Sequence, residues 1–337
     1  MSNAVQHGGP TGMDKEMVEM SLRLAVLIPC HNEAMTIGQV VSDFRRALPA
    51  AKVYVYDNNS ADETAVIAQR EGALLRVETS QGKGHVVCRM FSEVEADIYV
   101  LVDGDATYDA GIAPALVKQL VANQLDMLCA ARQTETTGAY RLGHRTGNRL
   151  LSGMVAWIFG NKFSDMLTGY RVFSRRFVKS FPALSSGFEI ETQLTIHALE
   201  MQMRVAEVNT EYFERPLGSI SKLRTFGDGW RILWAITYLI KDERPMMFFS
   251  SIFAILVTLS LLLAFPVVIE YGETGMVRRF PTAFLAMGTM LLAFLCLACG
   301  LILDTVSKGR REVKRLHYLA TPSLSPDSIS ELPKRLT

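Results

Sequence analysis

Between Leu24 and Ala131 the hydrophobic pattern alternates between two rhythms. Short apolar runs at Leu24–Ile28 (LAVLI), Lys52–Tyr56 (KVYVY), Leu74–Val77, Asp97–Val102 and Asp126–Ala131 read as strands. Between them Met35–Leu48, Ala61–Glu71, the stretch opened by Gln81-Gly82-Lys83-Gly84, and Ala113–Ala122 carry helical periodicity. Pro49 closes the first helix and Gly72 is placed to cap the second. This alternation predicts an α/β fold, a mostly parallel sheet covered on both faces. Ligands of such sheets bind outside the carboxyl ends of the strands, which is where Asp57 and Asp103 fall.

The rhythm changes at the far end. Pro245 to Ile269 and Phe280 to Leu303 contain no charged residue. Each run exceeds the roughly 20 residues that a helix needs to cross a bilayer. The short link between them makes a transmembrane hairpin with both flanks on one side. Lys241 and Arg244 precede it, and Lys308, Arg310, Arg311, Lys314 and Arg315 follow it. That excess of cations predicts an integral membrane protein with its α/β part in the cytoplasm. Arg278 and Arg279 in the link reduce the asymmetry without reversing it. Residues 226–244 carry Trp230, Ile232, Leu233, Ile236, Leu239 and Ile240 at helical spacing, which predicts an interfacial amphipathic helix. Residues 1–22 lack the apolar core of a signal peptide and read as a flexible N-terminal segment, 23–225 as the α/β domain, and 304–337 as a basic, partly disordered tail. Gly300 with its small neighbours suits close helix contact, so a homo-oligomer packed through the spans is expected.

Composition narrows the classes. Hydrophobic residues make up 49% of the 337, and the net charge is +1, so there is no global basic field for nucleic acid. The five cysteines are odd in number and scattered, which argues against a disulfide framework. Cys296 and Cys299 lie inside an apolar run without partner ligands and read as packing residues.

The chemistry gathers at strand ends. Ile98 to Val102 stops at Asp103-Gly104-Asp105. Two carboxylates one glycine apart can aim at one hard cation, Mg²⁺ or Mn²⁺, which keeps positions open for water and phosphate oxygens. Gly104 is read as letting the backbone turn tightly between them. Asp57, in Tyr56-Asp57-Asn58-Asn59-Ser60-Ala61-Asp62-Glu63-Thr64, can accept hydrogen bonds from a base or ribose, while Asp62 belongs to a capped helix start. Lys83 lies between two glycines where a helix N-terminus favours anions. Arg132, at the end of the fifth strand, is a candidate phosphate contact, with Arg141 and Arg145 grouped beyond it and His144 read as a loop residue. Arg215, Ser221, Lys222 and Arg224 fall in a Gly/Ser loop just ahead of the interfacial helix, which reads either as a cationic receiver for a lipid phosphate or as a solvated basic loop drawn to anionic lipid. Glu191, with Glu189, opens a helix where an acceptor-side base can sit.

The ordered series IPCHNE, YDNNSADET, GKG and VDGDATY resembles the family 2 glycosyltransferases of the GT-A fold. With the two spans the chain is most similar to the polyprenyl-phosphate glycosyltransferases, the group of the dolichol-phosphate mannosyl- and glucosyltransferases. The segment from Asp165 through Gly169, Tyr170 and Arg171 resembles that group's D-x-x-x-G-(Y/F)-(R/K) stretch. Arg215 to Lys222 resembles its R-x-x-G-x-S-K loop, with one extra residue after Gly218. The resemblance implies that Pro29, Glu33 and Asp57 line the nucleotide pocket and that Asp103 and Asp105 hold the metal. It further implies an inverting transfer from a nucleotide-diphosphate sugar to a polyprenyl phosphate, at a bacterial inner membrane. Two rivals stand beside it: transfer to the hydroxyl of a glycan or lipid-linked glycan, and a silent nucleotide-sugar-binding adaptor. A processive synthase fits less well, since the chain has no QxxRW and only two spans.

Overall fold

The computed structural model describes residues 22–133, 153, 163–182, 190–213, 241, 244–325 and 332. Over these residues the strands are β1 (Leu24–Cys30), β2 (Lys52–Asp57), β3 (Leu74–Val77), β4 (Ile98–Leu101), β5 (Met127–Gln133), β6 (Arg171–Ser174) and β7 (Val205–Glu211). The helices are α1 (Ile37–Ala47), α2 (Thr64–Arg70), α3 (Lys83–Glu93), α4 (Ala113–Ala122), α5 (Arg175–Ser180), α6 (Ile190–Glu200), α7 (Pro245–Thr274) and α8 (Phe280–Ala320).

The strands form one sheet in the order β3-β2-β1-β4-β6-β5-β7. All neighbours are parallel except β6, which runs antiparallel to both β4 and β5. Every residue of β1 and β4 is buried, as expected of central strands with both faces covered. α1 lays Ile37, Val40, Val41 and Phe44 on the sheet, a helical stripe that matches the sequence periodicity. Short β3, largely exposed and carrying Arg76, ends the sheet at one edge.

The chain winds outward from β1 through β2 to β3, then returns to place β4 on the other side of β1. The strand order therefore reverses between β1 and β4, and the loops leaving both strands open into the same crevice. The antiparallel strand has its own consequence. Leu101 pairs with Arg171, and continuing that register beyond β4 sets Asp103 opposite Gly169. Strands β6 and β7 have no counterpart in the sequence reading. Two helices start later than the apolar rhythm suggests, at Ile37 and Thr64, because side-chain hydrogen bonds hold the residues ahead of them in loops.

The chain divides into two compact units. One comprises Met1–Tyr140, Phe159–Ser221 and His317–Thr337; the other comprises Arg141–Ile158 and Lys222–Leu316. Within the second, α7 and α8 are long and apolar enough to cross a membrane. Leu262, Phe265 and Leu291 stand exposed along them, which in water would be costly. Ser260 donates to the carbonyl of Ala286 at 2.7 Å, joining the two helices. A Cβ on Gly300 would come 2.8 Å from Phe249 Cβ, so the glycine expected to serve an oligomer serves the hairpin itself. Among the described residues, nothing beyond its own helix backbone and neighbours comes within 4 Å of a Cβ placed on Gly288.

The tail corrects another expectation. α8 continues past Leu303 to Ala320, because its charged residues are good helix formers and Asp304 pairs with Lys308 at 2.8 Å. In the first unit Tyr318 is buried, donating to Asp126 Oδ2 at 2.9 Å beneath the guanidinium of Arg176. Leu332 joins the core cluster that contains Leu24 and Val26. The Ser/Pro-rich composition after Leu319 concealed the second anchor.

Candidate active site

Three loops meet at the strand ends, and side chains stitch them together. The β1 loop is tied to the β2 loop by Asn32 N–H to Ser60 Oγ (2.9 Å), Ala61 N–H to Asn32 Oδ1 (2.7 Å) and Glu33 N–H to Thr64 Oγ1 (2.8 Å). Asp62 accepts from Ala34 N–H at 3.1 Å, and it also accepts from Thr64. Burial pushes its carboxyl up, but these hydrogen bonds win and hold it below the usual range. Asn58 brings in the third loop, donating to the carbonyls of Glu78 and Ser80 and accepting from Gly82 N–H, each at 2.8 Å. Pro29 is buried in β1 beyond Leu27, the last residue paired with β4, so its missing N–H costs no ladder bond on that side. Glu33 is half-buried at the entrance to α1.

Asp57 is buried at the end of β2. Its Oδ2 accepts from Ser60 N–H at 3.1 Å. Among the described residues its buried Oδ1 has no hydrogen-bond partner. A native protein rarely leaves a buried carboxylate oxygen so, and Oδ1 is open to accept one further hydrogen bond.

The Asp103-Gly104-Asp105 turn follows β4. Lys83 Nζ lies 2.5 Å from Asp103 Oδ1 and 2.5 Å from Glu191 Oε1. The three groups come from the turn, the start of α3 and the first turn of α6. Burial alone would push the Lys83 pKa down; the two carboxylates outweigh it and hold the ammonium charged well above its ordinary value. Asp105 is buried, its Oδ1 accepting from Thr107 Oγ1 at 2.6 Å and Thr107 N–H at 3.3 Å. Gly104 is required by space, not by the turn: a Cβ there would meet Cys30 Sγ at 2.7 Å. Its carbonyl accepts from Thr36 Oγ1 at 2.7 Å. Ala106 has φ +57° directly after the turn, a strained conformation for a residue with a side chain.

The Asp165–Arg171 segment underlies this turn. Asp165 takes Arg132 Nε at 2.7 Å and Nη2 at 2.8 Å, and is itself fixed by its N–H donating to Glu207 at 2.9 Å. Arg132, expected at a ligand phosphate, thus has its fork engaged by Asp165, with its guanidinium also over the ring of Tyr212. Burial pushes the Asp165 carboxyl up, and Arg132 more than reverses this, holding it below the usual range. Gly169 N–H donates to the hydroxyl of Tyr108 at 2.9 Å. Tyr108 enters the sequence reading only as the last residue of VDGDATY; its bond to Gly169 joins distant elements that no local pattern signals.

Arg215, Gly218, Ser221, Lys222 and Arg224 lie outside the described residues, as do Arg141, His144, Arg145, Glu189 and most of the interfacial helix at 226–244.

A sheet of this order, with one antiparallel strand and an Asp-Gly-Asp turn at its switch point, defines the GT-A class of transferase fold. The chain belongs to glycosyl transferase family 2, whose model matches residues 25–181. The glycosyltransferase AglJ of Haloferax volcanii is 30% identical over 302 residues, 88% of this chain and 98% of the relative. A dolichyl-phosphate hexose transferase of the same organism is 26% identical over 221 residues, 66% of this chain and 95% of the relative. Among solved structures, glucosyl-3-phosphoglycerate synthase from Mycobacterium tuberculosis in complex with Mn²⁺ and uridine-diphosphate-glucose superposes with a TM-score of 0.54 at 21% identity. That match covers 70% of this chain and 84% of the synthase, and it is a likeness of fold.

Proposed function

We propose that this glycosyltransferase moves a sugar from a nucleotide-diphosphate sugar to a polyprenyl phosphate, with inversion at the anomeric carbon. The observation that carries the reading is the buried Asp57 Oδ1, without a hydrogen-bond partner among the described residues, at the same crevice edge as the Asp103-Gly104-Asp105 turn. One accepts a donor from a base; the other faces the diphosphate. Uracil and guanine both offer a ring N–H, so Asp57 suits UDP- and GDP-sugars alike. The lipid acceptor is supported by two helices of membrane-spanning length in the same chain and by the dolichyl-phosphate hexose transferase among its relatives.

Asp103 and Asp105 would hold Mg²⁺ or Mn²⁺. The donor set fits: two hard carboxylates on one turn, with Glu191 adding a further negative charge beside Lys83. A hard divalent cation held by two carboxylates would take phosphate oxygens and water for its remaining positions. Such an ion supplies charge neutralisation to the departing diphosphate. Lys83 adds a fixed positive charge at the same turn, and Asp57 with Pro29 and Glu33 orients the nucleotide. An oxygen of the acceptor phosphate attacks the anomeric carbon opposite the leaving group. The new C–O bond forms as the bond to the diphosphate breaks, and the nucleoside diphosphate departs with that electron pair. The acceptor phosphate is already ionised near neutral pH, so this transfer needs no base. Arg215, Ser221, Lys222 and Arg224 are assigned to the lipid phosphate from their sequence position. On this reading the catalytic unit faces the cytoplasm, and any oligomer packs on helix positions other than Gly300.

A second acceptor, a sugar hydroxyl, does need a base, and Glu191 is a carboxylate held at the site through Lys83. One assay decides between them. Purified protein in detergent is given UDP- and GDP-sugars with Mn²⁺ or Mg²⁺ and undecaprenyl phosphate, beside a glycan acceptor panel. A metal-dependent polyprenyl-phosphate sugar supports the lipid reading. Product on glycan alone replaces it with the second. Nucleotide binding without turnover on either means a silent adaptor.

A further inference from the structure

We infer that Gly169, Arg171 and Thr195 form a positioning frame for Asp103, a role that rests on the reading of Asp103 as a metal-holding carboxylate. A Cβ built on Gly169 would stand 2.1 Å from Asp103 Oδ2, 2.6 Å from its Cγ and 2.9 Å from its Oδ1. The carboxylate therefore lies flat on the Gly169 backbone, and any side chain there must push it away. Gly169 is not among the described glycines with positive φ, so the requirement is one of space.

The glycine is itself held in place. Its N–H donates to Tyr108, and the preceding Thr168 donates its hydroxyl to the carbonyl of Ala130 at 2.6 Å. Arg171 is completely buried and turns its guanidinium back on the segment. It donates to the carbonyls of Thr168 at 3.1 Å and Met166 at 2.5 Å, and to Thr195 Oγ1 at 2.8 Å. A buried arginine bonded to backbone carbonyls gains little general stability and fixes local geometry strongly. Thr195 in turn donates to the carbonyl of Glu191 at 3.0 Å, and the Glu191 carboxylate holds Lys83, which holds Asp103. The path closes on itself: Asp103, Gly169, Arg171, Thr195, Glu191, Lys83 and back to Asp103. One face of the carboxylate rests on backbone and one oxygen on an ammonium, and Arg171 and Thr195 lock the two supports to each other.

The test measures Mn²⁺ binding directly. Wild-type protein, Gly169→Ala, Thr195→Val and Thr195→Ser are titrated with Mn²⁺ in the presence of UDP and of GDP, with free ion followed by electron paramagnetic resonance and folding followed by thermal melting. Gly169→Ala is expected to weaken Mn²⁺ binding about 10- to 100-fold, the usual cost of disturbing a group that orients a metal ligand. Thr195→Val is expected to weaken it in the same direction by a smaller factor, and Thr195→Ser to restore it. Wild-type affinity in folded Gly169→Ala overturns the inference. If Gly169→Ala does not fold, the threonine pair decides: equal affinities in Thr195→Val and Thr195→Ser overturn it. A wild-type protein that binds no Mn²⁺ with either nucleotide overturns the metal reading as well.

Discussion

Lys83 and Glu191 meet with Nζ 2.5 Å from Oε1, and the same ammonium lies 2.5 Å from Asp103 Oδ1. The lysine side chain is 13% exposed and that of Glu191 9%. So sheltered a cation is the counterion that lets two carboxylates share one corner of the crevice.

Replacing Lys83 by Met leaves those carboxylates facing each other without compensation, and breaking a buried pair from one side costs about 3–5 kcal/mol. Lys83→Met is expected to lower the melting temperature markedly. Lys83→Met combined with Glu191→Gln should melt higher than Lys83→Met alone, because it removes one of the stranded charges. Melting curves of the three proteins check this; a double variant no more stable than the single one sinks the idea.

Asp57→Asn should act on affinity and spare the fold. Its Oδ2 bond to Ser60 can be kept by the amide oxygen, whereas the group that replaces Oδ1 no longer accepts from a base. The donor KM is expected to rise about tenfold, equivalent to roughly 1.4 kcal/mol, with kcat little changed. Steady-state kinetics with varied nucleotide sugar separates the two parameters.

Asp105→Asn retains an oxygen for the Thr107 hydroxyl and N–H but loses the charge. Turnover should fall roughly 100-fold or more, about 2.7 kcal/mol of transition-state stabilisation. The melting temperature should stay near that of the wild type. Wild-type turnover in metal-free buffer would contradict the assignment.

The Asp165–Arg132 pair makes stability depend on acid. The folded carboxyl is held below its ordinary value, so its contribution is fully present above the unfolded pKa, near 3.9, and is lost as pH falls through the lower folded value. Asp165→Asn is expected to be less stable at pH 7 and to lose less on acidification from pH 5 to pH 3. Denaturant titrations of both proteins across that range provide the comparison.

How much of this was legible follows from how far each interaction reaches. Strands β1 to β5 are apolar runs between helical stretches, and local rhythm displays them. β6 is four residues long, too short to show a period, and β7 is a half-exposed strand at the sheet edge. Asp103 and Asp105 stood out because carboxylates at the end of a buried strand have no role in a core. Gly104 was recognised as necessary for the wrong reason, since the Cys30 sulfur that excludes a side chain comes from another strand. Arg132 reads as a phosphate contact from its place at a strand end, and its ion pair with Asp165 joins segments that are distant in sequence, so no local pattern signals it.

Tyr318 and its receptors Arg176 and Asp126 belong to one compact unit, yet Tyr318 lies 142 residues along the chain from Arg176. A ribosome adds roughly 5–20 residues per second. The nascent catalytic unit therefore waits on the order of ten seconds with that socket empty, while both long apolar helices are being made. Whatever protects the half-finished unit in that interval, its last piece arrives only after the membrane-length segments have left the ribosome.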